Sequence, residues 1–267
     1  MKKTFFIAII LIAACSKNSP QHAIVVPDLV QAANKRGNIT GTIKLYDADG
    51  KSLADNSGVT ISIDNSSVNT QTAADGKWTL DSIPFGTYDI SYAKAGYGTG
   101  KLMGVNHEAL NHATTLIAKH IPVNALSAIE IQSLRIANWN SNPTIASLIN
   151  AGLAQNGVHI DPVFTNTTGK NKAVRFFFSD SPNVDATNYL VTDKQKFSGV
   201  PEQAINAGYE LNWFTSNGFT PGQTVYIKAY GDGYVDDAYE NPISGNYLFP
   251  SLAVKGSNTV SFVVPLK

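Results

Sequence analysis

Ala74-Asp75-Gly76-Lys77-Trp78-Thr79-Leu80, followed by Ile83-Pro84-Phe85-Gly86-Thr87-Tyr88-Asp89-Ile90-Ser91-Tyr92, decides the fold class of this chain. Asp75-Gly76 is a turn signal, because glycine takes the positive φ of a tight hairpin at no steric cost. Trp78, Leu80 and then Ile90, Tyr92 alternate with polar residues at the period of two that a half-buried strand requires. Pro84 and Gly86 punctuate the two runs, and Gly86 turns the chain so that Tyr88 can pack.

The same pattern extends in both directions. Ile39, Gly41, Ile43 and Leu45 alternate with polar residues, and Asp47-Ala48-Asp49-Gly50 is another hairpin signal. Val59, Ile61 and Ile63 form the next alternating run. Lys101 to Val105 and Thr114 to Ala118 complete the set. About seven short strands with turns every eight to twelve residues predict a small β-sandwich over residues 37–122. Trp78 is expected to cap its core.

These residues resemble a known family. Ile39-Thr40-Gly41-Thr42-Ile43, Asp49-Gly50, Gly58-Val59-Thr60-Ile61, Ala74-Asp75-Gly76-Lys77-Trp78, Ile83-Pro84-Phe85-Gly86-Thr87-Tyr88-Asp89 and Ala95-Gly96-Tyr97 look like the carboxypeptidase regulatory-like domain. That family is a transthyretin-like (prealbumin-like) seven-stranded sandwich. The resemblance implies an accessory or binding module without catalysis. Transthyretin-like hydrolases end in a tyrosine–arginine–glycine–serine run, which this chain does not have.

Residues 123–267 are also β-rich. Val174-Arg175-Phe176-Phe177-Phe178 reads as a strand, and Tyr209, Leu211 and Trp213 alternate with Glu210, Asn212 and Phe214. Val225, Ile227 and Ala229 alternate with Tyr226, Lys228 and Tyr230, and Thr259 to Val264 closes the region. Pro143 to Leu153 has helical spacing, which predicts one short helix. The expectation is an all-β chain of two sandwiches, the second immunoglobulin- or fibronectin III-like in general form.

At the other end, Lys2-Lys3, the apolar run Phe5 to Ile12 and Ile12-Ala13-Ala14-Cys15 read as a signal peptide over residues 1–14. The run into Cys15, the only cysteine, resembles a bacterial lipobox. The resemblance implies diacylglycerol on the Cys15 thiol and an acyl chain on its amine. A transmembrane helix needs roughly 20 apolar residues, more than this run supplies. Residues 15–36 hold Pro20 and Pro27 without a clear period and read as the lipidated end and a flexible tether. With no aspartate after Cys15, the expected address is the outer membrane, facing either the periplasm or the outside.

Twenty basic and twenty acidic residues balance in the full chain. This excludes the one-signed charge that marks a nucleic-acid partner. A single cysteine excludes an intramolecular disulfide. No cofactor is called for.

Four constellations bear on chemistry. His107, Glu108 and His112, with His120 beyond, miss the His-Glu-x-x-His spacing that puts two ligands on one helix face, so a structural or exposed role is expected. Asp232, Asp236 and Asp237, with Glu240, follow a Gly-Asp-Gly turn. They suit either a solvated loop or a calcium site, since a hard cation wants several oxygens at loop spacing. Tyr226, Tyr230, Tyr234 and Tyr239, with Tyr247, are the candidate ligand-binding set. Tyr226 and Tyr230 lie opposite the Val225-Ile227-Ala229 face and would look outward, either stacking on sugar faces or packing across strands. Trp139, between Asn138 and Asn140, is a candidate exposed aromatic. No Gly-x-Ser-x-Gly elbow is present.

The sequence therefore predicts a lipid-anchored, non-catalytic envelope protein that binds or scaffolds. Its partners would be the membrane, through the lipid, and a glycan or an envelope protein. The alternatives are a surface carbohydrate-binding lipoprotein of a glycan-uptake system and a structural or adhesion spacer.

Overall fold

The computed structural model describes residues 35–108, 114–138, 157–165, 171–197 and 207–266. The signal peptide, Cys15 and the tether lie outside the described residues, as do His112, Trp139 and the helix expected at Pro143 to Leu153.

The first eight strands are β1 (Arg36–Tyr46), β2 (Thr60–Ile63), β3 (Asn69–Gln71), β4 (Lys77–Pro84), β5 (Gly86–Ala93), β6 (Gly100–His107), β7 (Thr114–Leu116) and β8 (Ile121–Asn124). They form two facing sheets. In one, β4 pairs antiparallel with β1, and β7 and β8 pair parallel with β1's other edge. In the other the order is β3-β2-β5-β6. Ile39, Ile43 and Leu45 of β1 meet Ile61, Ile90 and Tyr92 of the opposite sheet in a dry core. Each such side chain contributes about 1.5–3 kcal/mol through burial. Trp78 is buried opposite Gly41, and a Cβ at Gly41 would stand 2.5 Å from the indole ring. Gly76 has φ +83°, as the Asp75-Gly76 turn requires. The Tyr88 hydroxyl reaches back over Gly86 to donate to the Pro84 carbonyl at 2.7 Å.

β8, like the short β3, is a strand that the alternation in the sequence does not announce. It carries Pro122, yet proline is tolerated there because the strand lies at a sheet margin, paired only with β1. Val123, one residue past the expected boundary, belongs to this first core.

The second set is β9 (Glu130–Asn138), β10 (Gly157–Thr165), β11 (Lys172–Ser179), β12 (Val191–Phe197), β13 (Ala207–Glu210), α1 (Leu211–Ser216), β14 (Thr224–Asp232), β15 (Tyr239–Glu240), β16 (Tyr247–Leu248) and β17 (Val260–Val263). A β13-β10-β9 sheet faces a β12-β11-β14-β17 sheet. Ile131, Val158 and Ile160 meet Phe176, Phe178 and Ile227 between them. The chain is thus an all-β protein of two sandwiches.

Two expectations in this half need correction. Tyr209, Leu211 and Trp213 do not continue one strand. β13 stops at Glu210 and α1 begins, because a helical turn brings both Leu211 and Phe214 into the core whereas a strand would expose one of them. The outer face of β14 is also more covered than alternation suggests. β11 is buried on both faces along its whole length. Its outward Phe177 is boxed edge-on by Tyr189, Tyr230 and Phe249, with ring centroids 5.2–5.6 Å away.

Candidate functional site

The chain leaves the first sandwich through Asn124 and enters the second with backbone approaches that only glycine permits. A Cβ at Gly98 would fall 2.7 Å from the Pro250 backbone, and one at Gly231 would fall 2.6 Å from the Ile129 carbonyl. At Gly233 a Cβ would press on Ser251 and Asn124. Gly50, in the first sandwich's Asp47-Asp49 hairpin, lies flat against the ring of Tyr234. Asn171 Nδ2 donates to the Asp49 carbonyl at 3.3 Å. Of these, the contacts at Gly98, Gly233, Gly50 and Asn171 join the two sandwiches.

A polar network runs through the junction. Asn124 Nδ2 donates to Asp237 Oδ2 at 2.8 Å and to the Val235 carbonyl at 2.9 Å. The single hydroxyl of Ser251 lies 3.0 Å from Asp237 Oδ1 and 3.2 Å from Asp232 Oδ1. Asp232 Oδ2 accepts from Arg175 Nε at 2.8 Å and pairs with Lys194 Nζ at 3.3 Å. Asp236 receives Arg175 from the solvent side at 3.0 Å, and the guanidinium lies 4.3 Å over the Phe249 ring. Burial raises the Asp237 carboxyl above the usual aspartate range, and the neighbouring Asp232 charge adds to this. Burial lowers the Lys194 ammonium, with Asp232 opposing.

In this network the carboxylates of the candidate calcium site are engaged within the protein. Asp232 and Asp236 are held by two cations of the chain itself, Arg175 and Lys194. Asp237 faces an amide and a hydroxyl. The oxygens a Ca²⁺ would need are engaged, and among the described residues no group of three or more His, Cys, Asp and Glu gathers to hold a metal.

The four candidate tyrosines occupy different surroundings. Tyr230 packs on Phe177 and lies against Gly256. Tyr234 seals Gly50, with Lys196 Nζ 5.1 Å from its ring centroid. Tyr226 is half-buried towards the other end of β14. Tyr239 lines a cavity.

That cavity, of about 220 Å³, lies where the loop after β14 crosses the open side of the first sandwich. Its polar lining is Lys101, Lys119, His120, Asp236, Asp237, Tyr92 and Tyr239, and Leu102, Ile117 and Pro122 supply apolar wall. Lys101 is pre-oriented by Asp64 at 2.5 Å. Burial raises the Tyr239 phenol, so it presents its proton as a donor at neutral pH. Burial raises Tyr92 further, helped by the Asp237 charge. A half-buried ring beside an ammonium, an imidazole and carboxylates can cover an apolar ligand face and bond hydroxyls around its rim. Sequence reading named Tyr239 and the aspartates, but missed Lys101 and gave His120 only a structural or exposed role. Nothing local links positions that meet only when two sandwiches dock.

His107 takes the structural role expected of it. It is fully buried, its ring tilted against Phe85 with centroids 4.9 Å apart, with Nε2 on the Ile83 carbonyl at 3.2 Å and Nδ1 by Thr115 Oγ1 at 2.7 Å. A carbonyl only accepts, so Nε2 carries the proton there.

No protein-family model matches the chain, and none of the curated proteins matches it. Solved structures give distant similarities. A Bacteroides uniformis protein, provisionally named as carbohydrate binding, shares 10% identity over 85% of this chain and 98% of its own, with a TM-score of 0.31. A DUF3823 family protein from Parabacteroides merdae shares 11% over 85% and 98%, with a TM-score of 0.28. A chain of a type II cohesin–X-dockerin complex from Acetivibrio cellulolyticus shares 19% over 33% of this chain and 58% of its own, also with a TM-score of 0.28.

Proposed function

We propose that this protein is a non-catalytic binding module of the bacterial envelope, anchored by lipid on Cys15, whose cleft between the sandwiches takes a sugar. The observation that carries the ligand class is Tyr239. It is half-buried, opens onto a cavity of about 220 Å³, and is ringed by Lys101, His120 and Asp236. One sugar ring is the polar ligand of that size whose apolar face suits a tyrosine and whose edge suits such donors and acceptors.

The anchor rests on Lys2-Lys3, the apolar run to Ile12 and the small residues before Cys15. Several acyl chains, at about 0.8 kcal/mol per buried methylene, would make a stable attachment. Ser16 after the cysteine favours the outer membrane. The first sandwich reads as a carboxypeptidase regulatory-like domain on the strength of Asp75-Gly76, Pro84-Phe85-Gly86-Thr87-Tyr88 and Gly96-Tyr97. Catalysis finds little support, since the buried carboxylates are tied to Arg175, Lys194, Asn124 and Ser251.

A second reading, a rigid spacer or scaffold, draws on the glycine-tight junction. Calorimetric titration with a monosaccharide panel separates the two. Binding that is lost in Tyr239→Ala, with the fold intact by circular dichroism, supports the cleft. Absence of heat with every sugar favours the spacer. Metabolic labelling with a radioactive fatty acid, lost in Cys15→Ala, tests the anchor.

A further inference from the structure

A second cavity, of about 410 Å³, is lined by Thr42, Lys44, Tyr46, Gly50, Ser52 and His120. His120 therefore lines both cavities. It is exposed and precedes β8, which pairs in parallel with β1 at Ile43↔Ile121 and Lys44↔Pro122. One step back along both strands sets His120 beside Thr42. This imidazole is the lining residue that the two cavities share.

We propose that the ligand is a chain rather than a single ring: an oligosaccharide that lies across His120, one residue against Tyr239 and the following residues along the outer face of β1. This rests on the sugar reading above and extends it to a substrate class.

The outer face of β1 is built for a linear ligand. Thr42, Lys44 and Tyr46 alternate with the buried Ile43 and Leu45, so they stand in a row with about 7 Å between successive members. A hydroxyl, an ammonium and an aromatic ring thus repeat along one line. The Lys44 ammonium is held by the Leu53 carbonyl at 3.0 Å, which fixes its direction before any ligand arrives. The far wall is Gly50, where Tyr234 of the second sandwich occupies the space a Cβ would need. Both sandwiches therefore shape the groove at both of its ends: Asp236 and Tyr239 at one, Tyr234 behind Gly50 at the other.

The charge of the lining favours a neutral chain. Lys101 is already paired with Asp64, and Asp236 with Arg175. Lys44 gives its ammonium to the Leu53 carbonyl, and Asp237 takes hydrogen bonds from Asn124 and Ser251. Much of the lining's charge is thus engaged within the protein, which suits recognition of hydroxyls better than selection of a polyanion. The second cavity is also the larger, so a single ring in the first leaves most of the groove empty.

The test is calorimetric titration of the intact two-sandwich protein with defined ladders, from monosaccharide to hexasaccharide, of xylan, mannan and α- and β-glucan. For the series that binds, the tetrasaccharide should bind at least roughly tenfold more tightly than its monosaccharide. Thr42→Arg, which fills the second cavity from an outward position, should collapse that ratio towards one. Tyr46→Ala should do the same, and circular dichroism checks both for folding. Equal affinity for one ring and four overturns the proposal while leaving the sugar reading intact. A ratio that survives in both folded variants also overturns it. If no sugar of any length binds, the reading beneath fails and this one falls with it. Length-dependent binding of an extended peptide library instead of any sugar would overturn the carbohydrate class.

Discussion

Asn124 and Asp237 are 113 residues apart in sequence and 2.8 Å apart in space. Asn124 closes the last strand of the first sandwich, and Asp237 lies in the loop that crosses to it from the second. Both are buried. The amide is therefore a tie between two cores as well as a partner for a carboxylate that has left water. Truncating it exposes the asymmetry of buried polar groups: the lost bond is modest, but the abandoned acceptor keeps its desolvation cost. Asn124→Ala should lower stability by about 1–3 kcal/mol. Calorimetric unfolding should show more: a single transition in the parent protein, and two separated ones once the tie is cut. A single, unshifted transition in Asn124→Ala would mean the sandwiches are coupled by packing alone.

The same carboxylate gives the molecule a pH dependence with a definite sign. Burial raises Asp237 above the ordinary value of 3.8. The folded state thus holds that proton more tightly than the unfolded chain does. Its contribution to stability is complete below 3.8 and is lost as pH climbs through the raised folded value. Asp64, lowered by its bonds to Lys101 and Ser91, acts in the opposite direction as pH falls. Subtracting an Asp237→Asn variant isolates the first effect. Urea midpoints measured from acid to neutral pH should show the parent losing ground to the variant as pH rises. A constant difference would show that Asp237 titrates alike in both states.

Gly76 carries a prediction that the sequence alone could have made. Its φ of +83° is the conformation the Asp75-Gly76 turn calls for, and a Cβ there would lie 2.1 Å from the Ile43 carbonyl. Gly76→Ala combines positive-φ strain with a backbone clash, so it should cost more than the ~1 kcal/mol of strain alone. Chemical denaturation would measure it, and a loss below that figure would mean the hairpin can re-form around the methyl.

What the sequence reveals follows from the range of the contacts involved. The burial of Trp78, the Tyr88 hydroxyl on Pro84 and the buried Val225-Ile227-Ala229 face are all consequences of turns and alternation within short windows. The binding cleft is not of that kind. Lys101, His120 and Tyr239 share a lining only because Gly233 lets Asn124 and Ser251 close on it and Gly98 admits Pro250. Those glycines look like any loop glycine in sequence. Asp232 and Asp236 read as cation ligands for a similar reason. The cations they meet, Arg175 and Lys194, stand on strands far away in the chain. α1 was hidden by ambiguity, since Leu211 and Phe214 fit a three-residue helical spacing while Tyr209, Leu211 and Trp213 fit a two-residue one.

Tyr230 and Tyr239 looked equivalent as ligand-binding candidates, yet their structural surroundings separate them. Tyr230 packs edge-on against Phe177 and closes on Gly256. Tyr239 lines the cleft. Tyr230→Ala should cost about 2–4 kcal/mol, near the lower range for deleting a large buried ring, and should leave sugar affinity as it was. Tyr239→Ala should do the reverse. Thermal unfolding and titration on the same two variants check both halves, and a binding loss in folded Tyr230→Ala would return that ring to the site.

Arg175 tests how much of the junction is held by charge. Its Nε and Nη2 reach Asp232 and Asp236, its plane covers Phe249, and Lys194 shares the same two carboxylates from β12. Replacing a whole buried cluster by apolar groups can be neutral, but removing one partner strands the others. Arg175→Met keeps an apolar stem and deletes the guanidinium, and with it the contact over the Phe249 ring. Asp232, 2% exposed, then keeps Lys194 at 3.3 Å as its one cation, beside the Ser251 hydroxyl and the Gly233 amide on its other oxygen. The expected loss is about 3–5 kcal/mol in urea unfolding. Adding Asp232→Asn should recover part of it, because the stranded charge is gone. A double variant as unstable as the sum of the two singles would mean that Arg175 and Asp232 act independently, and that packing against Phe177 and Phe249 carries the junction in their place.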